Sequence, residues 1–159
     1  MYYYSACDQA NTNGSANTDT ILEWFKVNAA GVRSQFRKIQ LGVFAAPTDN
    51  NVRIRFQRAT TTVQTTGSAA TPLPMQGDNS VAATTTWRTG TITLGTGALQ
   101  ATPVLQLAYN MRGTAMWAAF IEDETVSIAG TTVTNNEIAV LSQASVATVP
   151  VTLQILFSE

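Results

Sequence analysis

Asn51-Val-Arg-Ile-Arg-Phe-Gln-Arg58 is the stretch that decides the fold class. Val52, Ile54 and Phe56 alternate with Arg53, Arg55 and Gln57. That period of two puts the apolar set on one face of an extended chain and the polar set on the other. Pro47-Thr-Asp-Asn50 in front of it is a turn signal, so the segment reads as a half-buried strand. Upstream, Ile39, Leu41 and Val43 share one face of a second extended run, with Lys38, Gln40 and Gly42 on the other. Ile21–Asn28 admits a short helix capped by Thr18 or Asp19. Its Ile, Trp, Phe and Val content favours a strand. Downstream, strand-like segments recur at Val81–Thr93 around Trp87, Leu99–Met111, Thr114–Asp123, Val126–Ile128, Ile138–Ser145 and Val149–Phe157. No long helical pattern separates them. The predicted architecture is all-β: a single-domain antiparallel β-sandwich over residues 21–159, of jelly-roll type with about eight to ten strands. Thr60–Ser80, rich in Thr, Gly, Ser, Ala and Pro, is expected to be a long surface connection or weak edge strand.

Composition agrees with one folded domain. The 159 residues are 45 % hydrophobic and 12 % charged, whereas a disordered chain pairs low hydrophobicity with high net charge. Threonine fills about a sixth of the chain, and its branched, polar side chain suits the outward face of a sheet. A net charge of -1 supplies no bulk attraction to nucleic acid or to an anionic membrane. The longest apolar runs, Ala115–Ile121 and Val149–Phe157, fall short of the ~20 residues a spanning helix needs. The first residues, Met1-Tyr-Tyr-Tyr-Ser5, have neither the basic nor the apolar region of a secretory signal. A lone Cys7 excludes an intramolecular disulfide and reads as a small, buried or half-buried residue.

The chemistry the sequence leaves open is narrow. Without histidine, Ser-His-Asp and Cys-His nucleophilic schemes are excluded. Asp49, Asp78, Glu122, Asp123, Glu124 and Glu137 remain for a carboxylate pair, but most sit beside Asn, Gly or Thr in turn contexts, where carboxylates cap backbone N–H groups. Glu122-Asp-Glu124 lacks the spacing of a calcium loop and reads as a solvated hairpin turn. No phosphate-cradling glycine loop, dinucleotide fingerprint or C-x-x-C is present. Asn13-Gly14-Ser15 matches a glycosylation sequon without a signal peptide beside it. The expectation is a non-enzymatic protein with no cofactor and no metal site.

Two features point to assembly. Residues 1–20 open with Tyr2, Tyr3 and Tyr4 and continue as a polar, small-residue tether. The tyrosines need burial, either as the domain's own first strand or docked on a neighbouring subunit. The reading taken is an N-terminal arm that engages a neighbour. Charge is also uneven: eight of the nine basic residues precede Thr89, and five acids against one base follow. The outward Arg53 and Arg55, with Arg58, are either a solvated face or the partners of Glu122, Asp123, Glu124 or Glu137 on the next copy. They have no interleaved aromatics for nucleic acid. The expected partners are therefore copies of the chain itself, with no nucleic acid and no membrane. Trp87 and Trp117, each in an apolar or branched strand context, read as core; surface glycans are the alternative partner, bound through Trp87, Trp117 or Tyr109.

The Asn51–Thr60 strand, the Thr/Gly/Ser-rich loop after it, the run Leu105-Gln-Leu-Ala-Tyr-Asn-Met-Arg-Gly-Thr-Ala-Met-Trp117 and the closing Val151-Thr-Leu-Gln-Ile-Leu-Phe157 carry a family resemblance. Across residues 21–159 the chain resembles small jelly-roll structural proteins of tailed phages, of the head-decoration, cement and fibre-associated kind. It is similar too to subunits of environmental protein filaments with phage-like genes. The resemblance implies a structural role in many copies, exposure on a virion surface or outside the cell, and no catalytic residues.

Overall fold

The computed structural model describes residues 1–11, 19–43, 49–60, 66–75, 82–90, 92–93, 98–121, 125–130, 137–146 and 149–159. The elements among them are all strands: β1 Tyr3–Asn11, β2 Thr20–Val27, β3 Arg33–Gly42, β4 Asn51–Arg58, β5 Ser68–Ala70, β6 Leu73–Pro74, β7 Thr85–Thr89, β8 Leu105–Asn110, β9 Ala115–Ala118, β10 Val126–Ala129, β11 Glu137–Ala144 and β12 Pro150–Ser158. They form two six-stranded sheets. The first runs β10-β3-β12-β1-β6, with β9 pairing β3 beside β10. The second runs β5-β7-β2-β11-β4-β8. Every pairing is antiparallel.

The sheets pack face to face around one core built by alternation. Val52, Ile54 and Phe56 of β4 are buried as their spacing predicts. They meet Ile138 and Val140 of β11 in the same sheet, and Val151, Leu153, Ile155 and Phe157 of β12 from the other. Aromatic rings tie the layers together. Phe25 of β2 meets Phe36 of β3 edge-on, with centroids 5.1 Å apart and planes at 68°, and Phe36 meets Phe56 in the same way at 6.2 Å. Such pairs contribute about 0.5–1.5 kcal/mol beyond the area they bury.

Two bulges set which side chains enter that core. Phe157 of β12 faces Phe36 and Leu156 faces Lys38, leaving Arg37 as an extra residue in β3. Strict alternation with Ile39 and Leu41 would put Phe36 on the polar side, and the bulge reverses the phase so that all three are buried. In β2 the register jumps from Ile21 opposite Leu141 to Glu23 opposite Val140, so Leu22 is the extra residue. Leu22, Phe25 and Val27 then face the core. Ile21 and Trp24 face outward and form a second cluster with Ala139, Leu141 and Ile92.

The N-terminal segment departs from the expected arm. Tyr3–Asn11 is a strand paired along its whole length with β12. Tyr4 and Ala6 are buried in the core, and Tyr4 stacks on Phe157 at 5.5 Å. The alternation of Tyr4, Ala6 and Asp8 against Tyr3, Ser5 and Cys7 supplies the strand period within a composition that reads as tether. The rest of the expected tether, 12–18, lies outside the described residues. Cys7, expected to be buried or half-buried, is exposed on the outer face.

Candidate assembly surface

The residues expected to bridge subunits divide sharply. Tyr4 belongs to the chain's own core, whereas Tyr2 and Tyr3 stay 43 % and 41 % exposed. Arg53 donates to the Gln143 amide oxygen across the β4–β11 ladder. Arg55 forms an ion pair with Asp19. Arg58 is half-buried, and desolvation lowers its guanidinium from the usual range. Arg53 and Arg55 are thus engaged within their own chain. Glu137, weighed as its partner on a neighbour, is buried and lies 3.2 Å from Lys26 Nζ, the residue opposite it in β2. Glu122, Asp123 and Glu124 lie outside the described residues, as does the Asn13 sequon.

The aromatics weighed for sugar stacking are turned inward. Trp87 and Tyr109 are buried in the core, and Trp117 packs against it. The Tyr109 hydroxyl donates to the Gly42 carbonyl at 3.2 Å, and burial pushes its pKa up to about 12.

The exposed apolar groups lie elsewhere, across the outer face of the first sheet. Leu73 opposes Ser5, and the Met75 N–H donates to the Tyr3 carbonyl at 2.8 Å. Tyr3 faces Ser158, Ser158 faces Gln35, and the Ala119 N–H reaches the Arg37 carbonyl at 3.0 Å. From β6 to β9 this face spans four strand spacings of about 4.8 Å or roughly 19 Å, and the apolar groups sit at different levels of it: Met75 and Tyr3 align with Ser158 and Gln35, whereas Met116 faces Gln40, in register with Gln154 and Cys7. At one end Leu73 and Met75 are 69 % and 55 % exposed, and at the other Met116, Phe120 and Ile121 are 62 %, 91 % and 60 % exposed. Between them lie the exposed Tyr3 and the half-buried Leu156. Monomeric proteins rarely leave large apolar patches in water.

The interior holds a second anomaly. The phase set by the β2 bulge turns Glu23 into the sandwich, where it is fully buried. Neither of its carboxylate oxygens completes a hydrogen bond, and neither does Trp87 Nε1. Desolvation, then the charge of Asp8, raise the Glu23 pKa well above the ordinary glutamate range, while the nearby Trp87 N–H acts in the opposite sense. Asp8 is itself raised, by burial. Burial, then Glu23 and Asp8, push up the Cys7 thiol. Sequence reasoning passed over Glu23 and Asp8. The one signal was Glu23 inside the otherwise apolar Ile21-Leu-Glu-Trp-Phe25. Among the described residues no group of three or more acidic or cysteine side chains is placed to hold a metal.

Set against known proteins, the chain matches no protein family and no curated protein sequence.

Proposed function

We propose that the chain is a structural subunit that acts by assembling with copies of itself, on a jelly-roll sandwich. The support for the jelly roll is pairing order. The first strand pairs with the last, β2 with β11, β3 with β9 and β10, and β4 with β8. A long antiparallel hairpin wrapped into two sheets has this order, and β5, β6 and β7 are short additions at one side. Jelly rolls serve in viral coats and in lectins; the link to a phage-type filament or virion surface is an analogy at the level of fold.

The observation that carries the assembly reading is the exposed apolar side chains at the two borders of the first sheet, Tyr3, Leu73 and Met75 at the β6 border and Met116, Phe120 and Ile121 at the β9 border. Burying such side chains contributes about 25 cal/mol per Å² of apolar surface removed from water. A second copy supplies the same surface at matching concentration, and homo-oligomers dominate soluble assemblies. The glycan-binding alternative loses ground because Trp87 and Tyr109 present no exposed ring face.

The test is electron microscopy and light scattering of the wild type beside a Tyr3→Ser, Leu73→Ser, Met116→Ser variant. Ordered multimers are expected from the wild type, and smaller assemblies that need a higher protein concentration from the folded variant. A wild type that stays monomeric up to its solubility limit would sink the reading. Point changes are preferred to removing residues 1–18, because that deletion takes β1 out of the first sheet.

A further inference from the structure

Among the strand edges left open by the described residues, two match. In the β1–β12 ladder the Tyr2 N–H donates to the Glu159 carbonyl at 2.9 Å and the Glu159 N–H to the Tyr2 carbonyl at 3.0 Å. Even-numbered residues of β1 therefore exchange both bonds with β12, and odd-numbered residues aim theirs the other way. The two-residue β6 covers that side only at Tyr4 and Ser5. From Cys7 onward, the N–H and C=O of Cys7, Gln9 and Asn11 face an edge with no partner strand among the described residues. In the β4–β8 ladder the Met111 N–H donates to the Asn50 carbonyl at 2.9 Å, so odd-numbered residues of β8 serve β4. The N–H and C=O of Gln106 and Ala108, with the N–H of Asn110, then face the free side of β8. The Asn110 carbonyl accepts from Gly113 N–H at 2.9 Å.

The β8 edge carries none of the usual protection: Leu105-Gln-Leu-Ala-Tyr-Asn110 has no charge, proline or bulge. The β1 edge carries one such device, the inward-pointing Asp8, whose carboxyl meets the Gln9 N–H. The edges also lie on opposite sides of the sandwich. Asp8 of β1 is close enough to Glu23 of β2 to raise its pKa, which sets β1 over β2. β2 and β8 are separated by β11 and β4, and β8 packs against β9 at the far side.

We propose that copies join head to tail by antiparallel strand addition, the Cys7–Asn11 edge of one pairing with the Gln106–Asn110 edge of the next, with Gln9 opposite Ala108. This deepens, and rests on, the assembly reading. Two different edges on opposite sides make a heterologous contact that repeats without closing, which builds a filament. The second copy is the fitting occupant because each chain carries both halves of the contact, with the same alternation of open groups. Pairing β1 with a second β1 is disfavoured, since it sets two Asp8 carboxyls on one inward side. The exposed apolar side chains of the first sheet then pack laterally along the filament.

Proline at position 108 removes an N–H that no internal ladder uses, and at position 9 one that meets only the neighbouring Asp8 carboxyl, so the fold tolerates either at an edge. Expected by size-exclusion chromatography with light scattering are monomers from Gln9→Pro alone and from Ala108→Pro alone, and one-to-one dimers from their mixture. Each variant keeps the edge the other has lost. A second arm uses Gln9→Cys with Ala108→Cys in a Cys7→Ser background, where mild oxidation is expected to give a ladder of covalent dimers, trimers and longer species. The Cα separation of about 5.5 Å in such a pair suits a disulfide. Wild-type filaments with proline variants that still polymerise, or with no covalent ladder beyond dimers, would overturn the edge assignment and leave the assembly reading standing. A wild type that never assembles removes both.

Discussion

Glu23 is where residue chemistry and fold disagree most. Its folded pKa is raised, so between the ordinary glutamate value of about 4.3 and that raised value the folded protein holds a proton the unfolded chain has released. Stability therefore falls as pH rises through this window and levels off above it. Asp8, also raised, adds in the same direction. Of the groups around Glu23, Asp8 and Cys7 on β1 titrate, and Trp87 on β7 does not. Urea midpoints are expected to be higher at pH 5 than at pH 8. Glu23→Gln should flatten that difference and gain on the order of 1–3 kcal/mol at pH 8, since a neutral amide avoids the cost of a buried, unpaired charge. Equal wild-type midpoints at the two pH values would contradict it. Arg53 and Arg55 show the opposite relation: their outward placement was legible from Val52, Ile54 and Phe56, but their partners were not. Gln143 and Asp19 are far away in sequence, and only the sheet brings them near.

At the scale of elements, the bulges and the C-terminal clamp do the positioning. Removing Arg37 leaves Ser34, Phe36, Ile39 and Leu41 in unbroken alternation, so that deletion is expected to yield a folded protein with cooperative thermal unfolding. Deleting Gln40 instead puts Ile39 and Leu41 on opposite faces, a loss of about 1.5–3 kcal/mol for each side chain turned to water. Circular dichroism melts of the two deletions check the contrast, and equal stability would refute it. The Glu159 carboxylate accepts from the backbone N–H groups of Thr84 and Thr85 at 2.8 and 2.7 Å and from both threonine hydroxyls. It thereby ties the end of β12 to the start of β7 in the other sheet. Glu159→Ala is expected to cost about 1.5–3 kcal/mol, as hydrogen bonds to charged groups do, and to speed amide hydrogen exchange in β7 ahead of β4. Unchanged exchange in β7 would rule the clamp out. Neither device follows from local pattern. Arg37 looks like an ordinary polar position, and a terminal glutamate has no visible partner until the sheets are stacked.

For the whole molecule, the proposed assembly is an apolar and backbone event rather than a charge-paired one. Arg53 and Arg55 each meet a partner within the chain, Gln143 and Asp19, and Glu137 is buried against Lys26. The critical concentration for assembly is therefore expected to change less than threefold between 0.1 M and 1 M salt, although the Debye length shrinks from about 10 Å to about 3 Å over that range. Light scattering across a salt series measures this, and dissolution at high salt would restore the charge-bridge reading.

The sequence by itself determined the all-β class, the buried face of β4 and most strand positions, because a period of two is a local property of the chain. Tertiary structure alone decided that residues 3–11 are a strand of the sheet rather than a free arm, that Phe36 and Leu22 reach the core through bulges, and that a carboxyl sits unpaired between the sheets. Each of these depends on register between strands distant in sequence. Register is fixed by which face of the partner is already buried, and a single strand read alone does not carry that information.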